Sequence, residues 1–146
     1  MRGGKALVID ANILIRAVLG RRVRNILFGH AGAVQFYAPD AAYADAREYL
    51  PGLLAKRGVD PAAAMSVLDR LEIIVHPVDA GLYAAMKAPA LRRIESRDAD
   101  DWPVLACAMM LDCPVWTEDA DFFGAGVATW TTDRVELYLA AATPRQ

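Results

Sequence analysis

Short apolar runs alternate with longer amphipathic stretches along the chain, and this alternation predicts the fold. "ALVI" (6–9) is a four-residue apolar run that stops abruptly at Asp10, as a buried parallel strand does. "NILIRAVLG" then repeats its apolar positions at helical spacing and ends at Gly20, with a short second helix over 23–29. "AVQFYAP" (33–39) is the next strand, closed by Pro39. A helix capped by Asp40 follows to Gly58, with Pro51 expected to kink or break it. The next helix has Asp60 as N-cap and Pro61 at its first position.

"EIIVHP" (72–77) is a third strand, and residues 79–94 are helical in part, interrupted by Pro89. Residues 101–111 form a strongly apolar helix. "PVWT" (114–117) and "VATW" (127–130) are the fourth and fifth strands, and a last helix covers 133–142. Strands that alternate with helices imply a mainly parallel sheet with both faces covered, an α/β class protein built as a three-layer α/β/α sandwich around about five strands. The pattern shows no repeat or linker, so a single domain over 1–142 is expected, with 143–146 a frayed C-terminal end.

Composition narrows the class. The 146 residues are 55% hydrophobic and 23% charged, enough apolar material for one core. No run approaches the roughly 18 apolar residues of a membrane span. "MRGGKALVID" has too short an apolar stretch for a signal peptide, so no membrane association and a cytoplasmic location are expected. Cys107 and Cys113 lack the partners and spacing of a metal site and suit reduced packing roles. A net charge of −2 advertises no broad nucleic-acid affinity. The arginines are nevertheless clustered, in "RRVR" (Arg21, Arg22, Arg24) and "RRIESR" (Arg92, Arg93, Arg97), either as a solvated face or as a rim for phosphates.

Candidate chemistry comes from the acids. In an open parallel sheet, function lies beyond the carboxyl ends of the strands. Asp10 and Asn12 follow the first strand; Glu118, Asp119 and Asp121 follow the fourth; Asp98, Asp100 and Asp101 precede the helix leading into the fourth. Asp45 and Glu48 lie early in the helix after the second strand, spaced so that both can point to one side. Singly, each has an ordinary use as a helix cap, a polar turn or a solvated face. Jointly, carboxylates sharing one sheet end repel by about 1–4 kcal/mol per pair and need compensation. A divalent cation is the simplest compensation, and an oxygen-only donor set favours Mg²⁺ or Mn²⁺. His30 and His76 stand outside the set. Such a site suits phosphodiester hydrolysis. No Gly-rich phosphate loop appears, "GAG" (124–126) being too short. An aspartyl-phosphatase would need an acid where Asn12 stands.

From "VIDANILIRAVLG" through "DADDWPVLACA" to "WTEDADFF", nearly the whole chain resembles the PIN-domain family of metal-dependent ribonucleases, which includes the VapC-type toxins of bacterial toxin–antitoxin pairs. The resemblance implies a PIN-like fold and assigns Asp10, Asp101 and Asp119 as direct metal ligands. Asn12 would hold Asp10 and its waters, Thr117 would orient nearby carboxylates, and Asp121 would assist. Asp98 and Asp100 would act from behind the ligands. The family's second acid is either Asp45, nearer in position, or Glu48, which matches in type; Asp45 is slightly favoured and would reach metal through water. Arg16, Arg21, Arg22 and Arg24 could steer RNA. An antitoxin partner follows from the resemblance, and apolar stretches such as "LPGLLAKRG" suit a homodimer as well as a core. The rival expectation is a catalytically silent PIN-like module that binds RNA or a protein.

Overall fold

The computed structural model describes residues 4–94 and 96–140. A sheet of five parallel strands runs in the order β3-β2-β1-β4-β5, formed by β1 (Lys5–Ile9), β2 (Val34–Pro39), β3 (Val75–Val78), β4 (Val115–Trp116) and β5 (Thr129–Trp130). Side chains of a strand alternate between the two faces, and β1 shows it: Leu7 and Ile9 enter one core, Val8 the other. The first core is closed by α1 (Ala11–Leu19), α2 (Arg21–His30), α3 (Asp40–Lys56), α4 (Pro61–Leu71) and α8 (Val135–Ala140). The second is closed by α5 (Ala80–Tyr83), α6 (Lys87–Ile94) and α7 (Trp102–Leu111). The three-layer α/β/α expectation therefore holds, and every strand pair is parallel.

Several boundaries move, each for a physical reason. Pro51 does not end α3, which runs on to Lys56. Its missing N–H falls on an exposed turn, while Leu50 and Leu54 on either side are buried. Within "LPGLLAKRG", Leu50 and Leu54 therefore belong to the core. Gly58, with φ +68°, takes the left-handed conformation that stops the helix. Asp40 does not cap α3 from outside. It is the helix's first residue and ties β2's end to α5, accepting hydrogen bonds from the Tyr83 hydroxyl at 2.6 Å and the Ala80 N–H at 2.9 Å.

The third strand starts three residues later than expected, because Glu72–Ile74 close a turn after α4. Pro77 is tolerated there because β3 is an edge strand. Pro89 interrupts nothing: it sits in the first turn of α6, where a helix has no internal use for the N–H. The break falls earlier, in a 3₁₀ turn at Ala84–Met86. The expected last helix is found over Val135–Ala140, starting two residues later than expected because Asp133 and Arg134 close a turn; residues 141–142 and the 143–146 end lie outside the described residues. Among the described residues, no helix is long and apolar enough to cross a membrane.

Candidate active site

Strand order reverses at β1, whose successor in sequence, β2, lies on one side while β4 lies on the other. Crevices form at such a switch point beyond the carboxyl ends of the strands. Asp10 ends β1 at this point. It is 7% exposed and caps α1, its Oδ1 accepting the Ile13 N–H at 3.0 Å. Its Oδ2 accepts the hydroxyl of Thr117, a fully buried residue just past β4. Thr117 Oγ1 in turn accepts the Asp119 N–H at 2.9 Å. The ends of β1 and β4 are thus linked by a hydroxyl that donates to one acid and accepts from the backbone of another. Asp119 Oδ1 accepts the Asp121 N–H at 2.9 Å, which folds 119–122 into a tight turn.

Asp101 arrives from the other side, at the mouth of α7. It does not cap that helix through its side chain; Asp98 caps the preceding 3₁₀ turn, accepting the Asp100 N–H at 3.0 Å. Behind Asp101, Val104 to Ala108 are all buried, so the acid is carried on a helix locked in the second core. Among the described residues, Asp101 Oδ2 is buried without a hydrogen-bond partner.

A cavity of about 310 Å³ joins these elements. Of the sequence-predicted residues, Asp10, Asn12, Asp45, Asp100, Asp101 and Asp119 line it. Glu48 does not, although it stands close enough to Asp45 to raise that carboxyl's pKa. Asn12 is exposed on the wall, and the hydrogen bond holding Asp10 comes from Thr117 instead. Asp98 and Asp121 flank Asp101 on its other side: one carboxylate oxygen of each of the three lies within 4.8 Å of the others'. Asp101 is therefore shared between the cavity and a second grouping of acids, a position the sequence did not suggest. Tyr49, 59% exposed on the cavity rim one helical turn after Asp45, was also missed; its i, i+4 spacing from Asp45 was the available signal.

The four arginines separate. Arg24 is spent locally, donating to the carbonyls of Ala17 at 3.3 Å and Val18 at 3.5 Å near the end of α1. Arg22 pairs with Asp133 at 2.9 Å, and Arg21 is exposed. Arg16 and Arg22 line a different cavity from the acids.

Proton affinities follow the crowding. Burial, opposed by the Thr117 and Ile13 hydrogen bonds and reinforced by Asp119 and Glu118, raises the Asp10 pKa to about 6. Asp101 is raised to about 7, first by burial, then by the neighbouring carboxylates of Asp119, Asp98 and Asp10. Asp45 is raised by burial and by Glu48 and Asp100. A buried, unpartnered carboxylate oxygen beside Asp10, whose pKa is also raised, suits a cavity that could hold a cation. The oxygen-only donors fit a hard divalent ion.

An α/β fold with acids gathered at its switch point defines a class, and the comparisons agree. The family model for the PIN domain matches residues 8–140, and the chain belongs to that family. Solved structures share the fold at low identity. VapBC2 from Rickettsia felis, bound to a DNA fragment from its promoter, aligns with TM-score 0.65 at 15% identity, covering 86% of this chain and 98% of that one. FitAcB from Neisseria gonorrhoeae aligns with TM-score 0.58 at 23% identity, covering 86% and 97%. VapBC-1 from nontypeable Haemophilus influenzae aligns with TM-score 0.60 at 13% identity, covering 88% and 99%. A comparison with curated protein sequences finds no match.

Proposed function

We propose that this protein is a Mg²⁺- or Mn²⁺-dependent endoribonuclease that hydrolyses RNA phosphodiester bonds. The observation that carries the reading is the buried, unpartnered Oδ2 of Asp101 in a cavity shared with Asp10 and Asp119. Asp10, Asp101 and Asp119 are the residues that would hold the ion, with Asp45 favoured over Glu48 for contact through water because only Asp45 lines the cavity. A bound ion there would make a water a better nucleophile and offset charge in the phosphorane-like transition state.

The chain's own work is positioning. Ile13 N–H and the Thr117 hydroxyl leave Asp10 no freedom to rotate, and the Asp119 N–H bonded to Thr117 ties the two strand ends into one unit. The packed α7 sets Asp101 opposite them, so the donors are arranged before substrate arrives. Asp45, exposed at the mouth, stays open to solvent and takes the proton released by the attacking water.

The family membership and the likeness to VapBC2, FitAcB and VapBC-1 support a toxin of a toxin–antitoxin pair, acting in the cytoplasm, with a cognate antitoxin and a second copy of the chain as partners. The test titrates Mn²⁺ while following melting temperature and cleavage of single-stranded RNA in parallel. Wild type should be stabilised and should cleave, and Asp101→Asn should lose both responses. Stabilisation of wild type without cleavage would leave a silent RNA- or protein-binding module.

A further inference from the structure

A second concave surface lies along α1 from the acids. Its volume is about 410 Å³, and Arg16, Arg22, Arg57 and Thr132 are among its walls. The guanidinium groups come from three elements: Arg16 from α1, Arg22 from the first turn of α2, and Arg57 from the residue that closes α3. All three residues are exposed. Among the described residues, the one carboxylate in an ion pair with any of them is Asp133, on Arg22, and the two side chains of that pair are 63% and 81% exposed. Glu118 also reaches the cavity wall, where it accepts the Thr132 N–H at 2.6 Å, but it forms no ion pair with these arginines among the described residues. Three cations that converge with one weak partner leave a strong demand for an anion.

The two cavities are joined by one face of α1. Asn12 lines the acid cavity and Arg16 lines the basic one. They are i and i+4 on a helix, so they share a face about 6 Å apart along its axis. A polyanion crossing the carboxyl edge can therefore touch both.

We propose that the Arg16–Arg22–Arg57 cavity is a second subsite that holds a backbone phosphate of single-stranded RNA while another phosphodiester of the same strand lies in the acid cavity. Asp133 acts there as an internal competitor, seated on the guanidinium that phosphate must take. The inference rests on the ribonuclease reading for the identity of the strand, but not for its test.

That test measures binding of a short single-stranded RNA by fluorescence anisotropy in EDTA, where turnover plays no part, across a range of NaCl concentrations. Arg16→Ala and Arg57→Ala should each weaken binding and flatten the dependence of log K on log salt by about 0.7, the loss of one phosphate contact to a single strand. Asp133→Asn should tighten binding by about two- to fivefold, the strength of an exposed ion pair. A merely structural role for these exposed residues predicts no such opposite signs, and unchanged melting temperatures exclude misfolding. Failure of wild type to bind, or arginine variants with the wild-type salt slope and an Asp133→Asn variant with wild-type affinity, overturns the proposal. Arginine-dependent binding without hydrolysis in Mn²⁺ supports it and refutes the ribonuclease reading alone.

Discussion

Asp10→Asn should make the metal-free protein more stable while removing its metal response. The reasoning starts from the pKa of Asp10, lifted by burial from an ordinary 3.8 to about 6. A shift of about 2 units means that ionising Asp10 costs the folded state about 3 kcal/mol. The sign differs from the usual carboxylate. Between pH 3.8 and about 6 the folded chain binds more protons than the unfolded one, so stability falls as pH rises through that window and levels off above it. Asparagine has the same shape, keeps an oxygen for Ile13 N–H and carries no charge. It does disturb the Thr117 hydroxyl, which loses a charged acceptor, at a cost of about 1 kcal/mol. The expected net gain above pH 7 is therefore about 2 kcal/mol, or about 4–8 °C in melting temperature for a chain of this size. Thermal melts in EDTA at pH 4.5 and pH 7.5 read it: the two proteins should differ at the higher pH and converge at the lower. Adding Mn²⁺ at a hundredfold excess over its Kd should raise wild type by about 2.7 kcal/mol and leave the variant unmoved. A variant less stable than wild type at pH 7.5 in EDTA would refute the claim that a buried charge is being held there at a cost.

Two further substitutions probe the same unit. Thr117→Val removes the hydroxyl that fixes Asp10 Oδ2 at a buried site, so chemical denaturation should show a loss of about 1–3 kcal/mol and the Asp10 pKa should rise further, moving the acid limb of the pH–rate profile upward. Asp45→Asn should slow RNA hydrolysis far more than Glu48→Gln, because only the first lines the cavity; equal effects on kcat would remove the distinction.

The sequence was most informative where a residue's job depends on its immediate neighbours. The strand that ends at Asp10, the Asp60 cap with Pro61 behind it, and the stop at Gly58 all follow from local chemistry, and all are found. Local rules misled where tertiary context outweighed them. Pro51 has the same backbone defect in any helix, but here the defect faces water and the buried leucines beside it keep the helix intact. The sequence rightly places Pro77 in the third strand, and the structure supplies the reason a proline is accepted there: β3 lies at the edge of the sheet.

The acids obey the same division. That Asp10, Asp101 and Asp119 should share a cavity follows from strand alternation, since each adjoins the carboxyl edge of a parallel sheet. The choice between Asp45 and Glu48 depends on the roll of α3 about its axis, and that is decided by distant packing: Ala42, Ala46 and Leu50 are pressed into the first core. The arginines show the limit most sharply. Arg21, Arg22 and Arg24 look equivalent in "RRVR", yet one is exposed, one holds Asp133 and one is spent on the carbonyls of α1. Arg57, which lies 35 positions beyond Arg22 in the chain, completes the basic cavity. A charge cluster in sequence measures proximity along the chain, whereas a phosphate responds to proximity in space. Only the fold converts the first into the second, and here it discards two of the local arginines and recruits a remote one.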